Sequence, residues 1–139
     1  MPATIRELMT PIPVTLPPEG SITDAARMMR DEGIGDVLVV EGDRLVGLVT
    51  DRDIVVRCLA EGADIREATI REACSDDIVT LAPDASVDEA VQIMRDHAVR
   101  RVPVVEDSRP IGIVSIGDLA IEEDPTSALA DISAAPDDK

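Results

Sequence analysis

The 139-residue sequence contains no Phe, Tyr or Trp. Its core must therefore be filled by Val, Ile, Leu, Met and Ala, and no aromatic ring is present to stack on a base. Lysine is nearly absent too: of the 13 basic residues only Lys139 is a lysine, and against 29 acidic residues they leave a net charge of -16. Such a charge repels nucleic acid and anionic lipid, which argues against binding either. His97 is the single histidine, and Cys58 and Cys74 fall in no CxxC or other zinc-type spacing, so no structural metal site is expected. The two thiols read as buried or inert, with a redox-linked disulfide as the alternative. The acidic clusters Asp76-Asp77 and Glu122-Glu123-Asp124 lack the spaced oxygen ligands of a calcium loop and read as solvated faces. With no Gly-rich phosphate loop and no nucleophile motif, the chain reads as a non-enzyme. No apolar run reaches the roughly 18 residues of a membrane span, and the opening MPATIREL lacks a signal peptide's apolar core, which suits a cytoplasmic protein.

What is present is a repeat. Residues 37–53, VLVVEGDRLVGLVTDRD, return 65 residues later as VPVVEDSRPIGIVSIGD, with Val37, Val39, Val40, Glu41, Arg44, Gly47, Val49 and Asp53 unchanged. Extended without a gap over residues 4–54, the same offset gives 21 identical pairs in 51. TIRE at Thr4 recurs at Thr69, and VTLPPEGS at Val14 recurs as VTLAPDAS at Val79. The chain is two copies of one unit, 4–62 and 66–122, followed by an acidic stretch, 123–139. Either copy alone would bury too little apolar surface to be more than marginal, so the two are expected to share one core.

Local signals give the order of elements. Residues 4–9 suit a short helical turn, Pro11 and Pro13 force an extended segment, and 14–16 form a lead-in strand. Pro17, Pro18 and Gly20 make a turn. Ser21-x-x-Asp24 then has the form of a capping box, with Ile22, Ala25, Ala26 and Met29 on one helix face and Gly33 as its stop. Residues 37–40 and 45–49 are β-branched runs around a Gly42-Asp43 turn, the pattern of strands covered on both faces. Thr50-x-x-Asp53 resembles a second cap, and Ile54, Val55, Cys58 and Leu59 predict an amphipathic helix ending near Gly62. The second copy repeats this: a strand at 79–81, a helix capped by Ser86 and Glu89, strands at 102–105 and 111–114, and a last helix from Gly117 that Pro125 ends. The class is mixed α/β (α+β), a β-α-β-β-α unit twice over. Residues 123–139, poor in large apolar side chains, read as a frayed or disordered tail.

Taken together, MTPIPVTLPPEGSITDAARMM, GIGDVLVVEGDRLVGLVTDRDI and HAVRRVPVVEDSRPIGIVSIGDL resemble the CBS domain pair, or Bateman module, over about residues 4–121. The chain looks like a stand-alone pair of the kind common in bacteria. The resemblance implies tandem β-α-β-β-α repeats forming one pseudo-twofold module, which commonly forms a homodimer through its helices. It also implies an adenosine-containing ligand, AMP, ADP, ATP or S-adenosylmethionine, in a cleft between the repeats. Such a protein would be a sensor whose ligand shifts the packing or the dimer interface for a partner protein to read. The alternative is a ligand-free homodimeric interaction module.

Thr50-x-x-Asp53 and Ser115-x-x-Asp118 match the family's Ser/Thr-x-x-Asp motif, whose Asp accepts from ribose hydroxyls while the hydroxyl residue approaches phosphate. A strand-to-helix junction also offers an anion free N–H groups and a positive dipole end. The same spacing is equally a capping box, so two roles rest on the same residues. Arg100 and Arg101 stand where the first copy has Gly35 and Asp36. In related modules basic residues here approach phosphate, a role suited to the guanidinium fork and opposed by Asp36. The alternative for this pair is a solvated or ion-paired surface. The preferred site is therefore Thr80, Arg100, Arg101, Val102, Pro103, Ser115 and Asp118, and the weaker one Thr15, Thr50, Arg52 and Asp53. Arg52 could compensate for Asp36, whereas Gly117 at the matching place offers only backbone. Pro103 within a strand suits an edge or an irregularity. Adenine would rest on aliphatic side chains such as Val79, Val102 and Ile111, which also read as plain core.

Overall fold

A computed structural model of the chain describes residues 3–11, 14–124 and 126–135. In chain order its elements are α1 (Ile5–Leu8), β1 (Thr10–Pro11), β2 (Thr15–Leu16), α2 (Ile22–Glu32), β3 (Asp36–Glu41), β4 (Arg44–Thr50), α3 (Asp51–Asp53) running on as a π-helix (Ile54–Leu59), α4 (Ile70–Ala73), α5 (Val87–His97), β5 (Arg101–Glu106), β6 (Arg109–Ser115), α6 (Ile116–Glu123) and α7 (Ala128–Ala134). They form two compact units, one of residues 14–78 and one of residues 1–13 with 79–139. Pro13, Pro125 and the last four residues of the acidic stretch, 136–139, lie outside the described residues.

In the unit of residues 14–78, β2 runs parallel to β3, and β3 pairs antiparallel with β4, Val37 opposite Val49. Val37, Leu38 and Val39 are all buried. Successive side chains point to opposite faces, so both faces are covered, as the unbroken apolar run requires. Helix α2 starts where Ser21 Oγ accepts the Asp24 N–H at 2.9 Å and stops at Gly33, whose φ of 67° closes a left-handed cap. Ile22, Ala25 and Met29 face inward, while Ala26 is exposed. The helix after β4 departs from the expected amphipathic pattern. Its Ala60 N–H bonds to Val55 O, five residues back. In this wider winding Cys58 is fully buried, whereas Val55 and Leu59 are 54% and 59% exposed.

In the other unit β6 is central, with β5 and β1 on its two sides, both antiparallel to it. The lead-in strand expected at 79–81 reduces to one parallel bridge, Leu81 to Val104. Helix α5 is capped by Ser86, whose Oγ accepts the Glu89 N–H at 3.1 Å. It ends on Ala98, held at φ 54° where the first copy has Gly33.

The recurring TIRE segments explain how the chain is partitioned. Residues 3–11 dock in the unit of the second copy, while Thr69 and its neighbours dock in the unit of the first. The bridges Thr4–Ser86 and Ser21–Thr69 are equivalent under the 65-residue offset, as are Thr10–Ile113 and Ser75–Leu48. The pattern repeats in the side chains. Ile5 and Ile70 are fully buried, Arg6 Nη2 lies 3.0 Å from Glu106 Oε2, and Arg71 Nη2 lies 3.2 Å from Glu41 Oε2. Arg71 also sits 2.7 Å from Glu19, and that hydrogen bond holds the Glu19 carboxyl below its usual range. Gly47 and Gly112 are needed where these segments cross: a Cβ would stand 2.8 Å from Ser75 O at the first and 2.8 Å from Thr10 O at the second. Each unit along the fold is thus one copy's body closed by the other copy's opening segment.

Each unit has a cluster of buried apolar side chains, one around Ile22, Val39 and Ile70 and the other around Ile5, Val104 and Leu119. Each sheet with its helices and docked segment supplies enough Val, Ile and Ala for a center of its own. Within the acidic stretch read as a frayed or disordered tail, Ala128–Ala134 is helical. Ser127 Oγ caps it by accepting the Ala130 N–H at 3.0 Å, and Ala130 is buried.

Candidate functional site

The hairpin register builds each motif. Arg101 pairs with Ser115 across β5 and β6, as Asp36 pairs with Thr50 across β3 and β4. Each unit therefore brings the residue before the hairpin, the hydroxyl and the start of the following helix together. In both, the Ser/Thr-x-x-Asp spacing is a complete capping box. Ser115 N–H donates to Asp118 Oδ2 at 2.8 Å and Asp118 N–H donates to Ser115 Oγ at 3.1 Å. The Thr50–Asp53 pair does the same at 2.9 and 3.0 Å.

Capping uses one oxygen of each Asp, and the two motifs differ in what remains. In the first, Asp53 Oδ1 faces Arg57 Nε at 3.8 Å. All three first-turn donors are also occupied: Asp51 N–H by Gly35 O, Arg52 N–H by the Asp51 side chain at 2.8 Å, and Asp53 N–H by Thr50. A carboxylate of the chain already fills the place an incoming anion would take. In the second, Ile116 N–H goes to Arg100 O at 2.8 Å and Asp118 N–H to Ser115. Residue 116 has no carboxylate, so among the described residues the Gly117 N–H is the first-turn donor without an acceptor. Position 122 is Glu where the first copy has Arg57, so Asp118 bonds only to Ser115 among the described residues.

The remaining candidates separate by exposure. Arg100 and Arg101 are exposed at the mouth of the second motif, and Thr80 is exposed beside the Leu81 N–H that donates to Pro103 O at 3.0 Å. Val102 and Pro103 are fully buried, and Val102 packs in the core cluster with Val104 and Leu119, so neither side chain offers an open surface. In the first unit Thr15 and Arg52 are exposed and Thr50 and Asp53 half-buried. The matching place at Gly117 is not open backbone, as the sequence suggests. Ser133 of α7 packs there, and a Cβ on Gly117 would lie 2.9 Å from Ser133 Cβ. Nothing in the local sequence signals that contact except the exchange of Arg52 for Gly117.

Both cysteines are free, Cys58 is fully buried, and burial raises both thiol pKa values. Among the described residues no group of three or more His, Cys, Asp and Glu side chains comes together, and no helix is long and apolar enough to cross a membrane.

The CBS domain profile matches residues 5–60 and 70–123. A CBS domain-containing protein, YhcV of Bacillus subtilis, is 36% identical over 135 residues, covering 94% of this chain and 96% of the relative. Hypoxic response protein 1 of Mycobacterium tuberculosis is 39% identical over 118 residues, covering 84% and 82%. A crystal structure of Hypoxic Response Protein I with two coordinated zinc ions superposes with a TM-score of 0.77 over 85% of this chain and 97% of that one, at 39% identity. The CBS domain pair of protein MJ0100, in complex with 5-methylthioadenosine and S-adenosyl-L-methionine, gives a TM-score of 0.76 at 28% identity, covering 86% and 94%.

Proposed function

The chain belongs to the CBS-domain family, and on that premise we propose that it is a regulatory module that binds an adenosine-containing ligand, AMP, ADP or ATP, at the Ser115–Asp118 motif. The observation that carries this reading is the asymmetry of the two capping boxes. One has a first-turn N–H and a carboxylate oxygen that no hydrogen bond of the described residues uses, beside Arg100 and Arg101, while the other fills both from within the chain. Asp118 would take the ribose hydroxyls. The α6 N-terminus, Ser115, Thr80 and the two arginines would hold phosphate. Thr15, Thr50, Arg52 and Asp53 form the weaker site. The MJ0100 pair shows that this fold accepts adenosine compounds, S-adenosylmethionine included, so that compound belongs in the test.

The module is non-catalytic and cytoplasmic in this reading, and it acts on a protein partner by changing its own packing or its homodimer. A ligand-free homodimeric interaction module is favoured by one feature: apolar residues at the surface. Val55, Val56 and Leu59 are 54%, 44% and 59% exposed. A groove of about 340 Å³ between α5 and α6 is lined by Val91, Met94, Val99, Ile116 and Leu119. Denaturing the purified protein and identifying released small molecules by mass spectrometry, followed by calorimetric titration with AMP, ATP and S-adenosylmethionine, separates the two. A stoichiometric adenosine compound or a saturable heat supports the sensor. Absence of both, with a concentration-dependent dimer, supports the ligand-free module.

A further inference from the structure

We propose that α7 is a strap across the N-terminus of α6, which a phosphate-bearing ligand displaces on binding, so that the C-terminal helix both weakens the site and reports its occupancy. The inference rests on the reading of the Ser115–Asp118 motif as the ligand site. The contact is specific. Gly117, between the motif's Ser115 and Asp118, is buried, and a Cβ there would meet Ser133 Oγ and lie 2.9 Å from Ser133 Cβ. The same point is 3.6 Å from Ser115 Oγ. The motif hydroxyl and the strap hydroxyl therefore border one small space, next to the Gly117 N–H. Ser133 thus fills the side of Gly117 on which a phosphate oxygen entering beside Ser115 would sit.

The repeat supplies an independent comparison. At the position aligned with Gly117 the first copy carries Arg52, whose side chain is exposed. Arginine is replaced by the one residue without a side chain at the place where α7 lands. The volume of a side chain has passed from the motif's own helix to the strap.

The strap is built to leave. It has seven residues, too few for a helix to persist without tertiary support. Ala130 is its one buried residue, while Leu129 and Ile132 are 43% and 73% exposed. Few buried contacts mean a low cost of local opening. Its only charged residue is Asp131, of the same sign as a phosphate, so strap and ligand have no attraction that would let them share the space. A site that is competent only when the strap is open has its affinity reduced by the open fraction.

Ala130→Asp in the full chain places a charge in the buried contact and expels α7 without touching the motif, and Ile132→Asp makes the same charge change on the exposed side. Titrated with AMP by calorimetry, Ala130→Asp should bind roughly tenfold tighter than the parent, and Ile132→Asp as the parent does. Ser127→Ala, which only removes the α7 cap, should show a smaller gain and serves if Ala130→Asp fails to fold. Hydrogen exchange at residues 128–134 of the parent should quicken on saturation with AMP. Equal AMP affinity in parent, Ala130→Asp and Ser127→Ala, or slower exchange of α7 on binding, overturns the strap while leaving the site in place. No AMP binding to any of the chains overturns the site itself, and the strap with it.

Discussion

Substitution of Asp118 separates the two roles its motif plays. In the structure Asp118 Oδ2 accepts the Ser115 N–H at 2.8 Å, and the group is half-buried. Asp118→Ala deletes that bond and leaves the Ser115 N–H at a helix start without its acceptor, a loss of about 1 kcal/mol. The melting temperature should fall by roughly 3–5 °C. In Asp118→Asn the amide oxygen can still accept from Ser115, so stability should change by less than about 0.5 kcal/mol. Ligand binding should respond differently. A carboxylate taking ribose hydroxyls gains about 1.5–3 kcal/mol per bond to the charged group, and both variants lose the charge. AMP affinity should therefore drop roughly 100-fold in each, equivalent to about 2.7 kcal/mol. Calorimetry with AMP, run beside thermal melts of the same samples, reads both quantities. If Asp118→Asn binds AMP as the parent does, Asp118 is a helix cap and nothing more. Asp53→Asn should cost less affinity, because Arg57 and the Asp51 side chain already occupy that motif. A larger loss there would reverse the choice of site.

Arg101→Ala should weaken AMP binding about tenfold and flatten its salt dependence; unchanged titrations at low and high salt would remove Arg101 from the site. Ala98, left-handed at φ 54° where the first copy has Gly33, is strained, so Ala98→Gly should stabilise by about 1 kcal/mol and raise the melting temperature by a few degrees. A lower melting temperature would contradict this. Gly112→Ala would press a methyl group to 2.8 Å from the Thr10 carbonyl, which as backbone cannot swing aside. The docked β1 must lift from β6, with an expected loss of about 1–3 kcal/mol in denaturant melts; an unaltered midpoint would refute the close crossing. Cys58 is fully buried and Cys74 half-buried, with both thiols kept protonated by burial, so a disulfide reagent at pH 8 should label Cys74 first and Cys58 only as the protein unfolds. The reverse order would show that the first unit opens around Cys58.

The elements that were legible in the sequence are those specified locally. Ser21, Thr50, Ser86 and Ser115 each mark a helix start because a cap is made within four residues. The hairpins follow from unbroken β-branched runs around a turn. Which unit each TIRE segment joins was not legible, since docking is long-range and the same four residues fit either body. The trace it left was Gly47 and Gly112, kept without side chains for the crossing backbone. The helix at 128–134 was missed because composition counts large apolar residues, whereas here a small residue, Ala130, makes the buried contact and Ser127 supplies the cap. Val55 and Leu59 carry a helical spacing that would bury them, yet the i-to-i+5 winding turns them outward. At the site the motif residues were visible at once. The capture of the Arg52 N–H by Asp51 and the seating of Ser133 on Gly117 were not, because both depend on where side chains end in space.

An adenine nucleotide held by the chain is directly visible, because without Phe, Tyr and Trp the protein itself absorbs almost nothing near 260 nm. The measurement is equilibrium dialysis of the purified chain against AMP, reading 260 nm absorbance on both sides of the membrane over a range of AMP concentrations. Excess absorbance should appear on the protein side, saturate near one nucleotide per chain, and need roughly 100-fold more AMP in Asp118→Asn. Equal absorbance on the two sides at every concentration would contradict nucleotide binding.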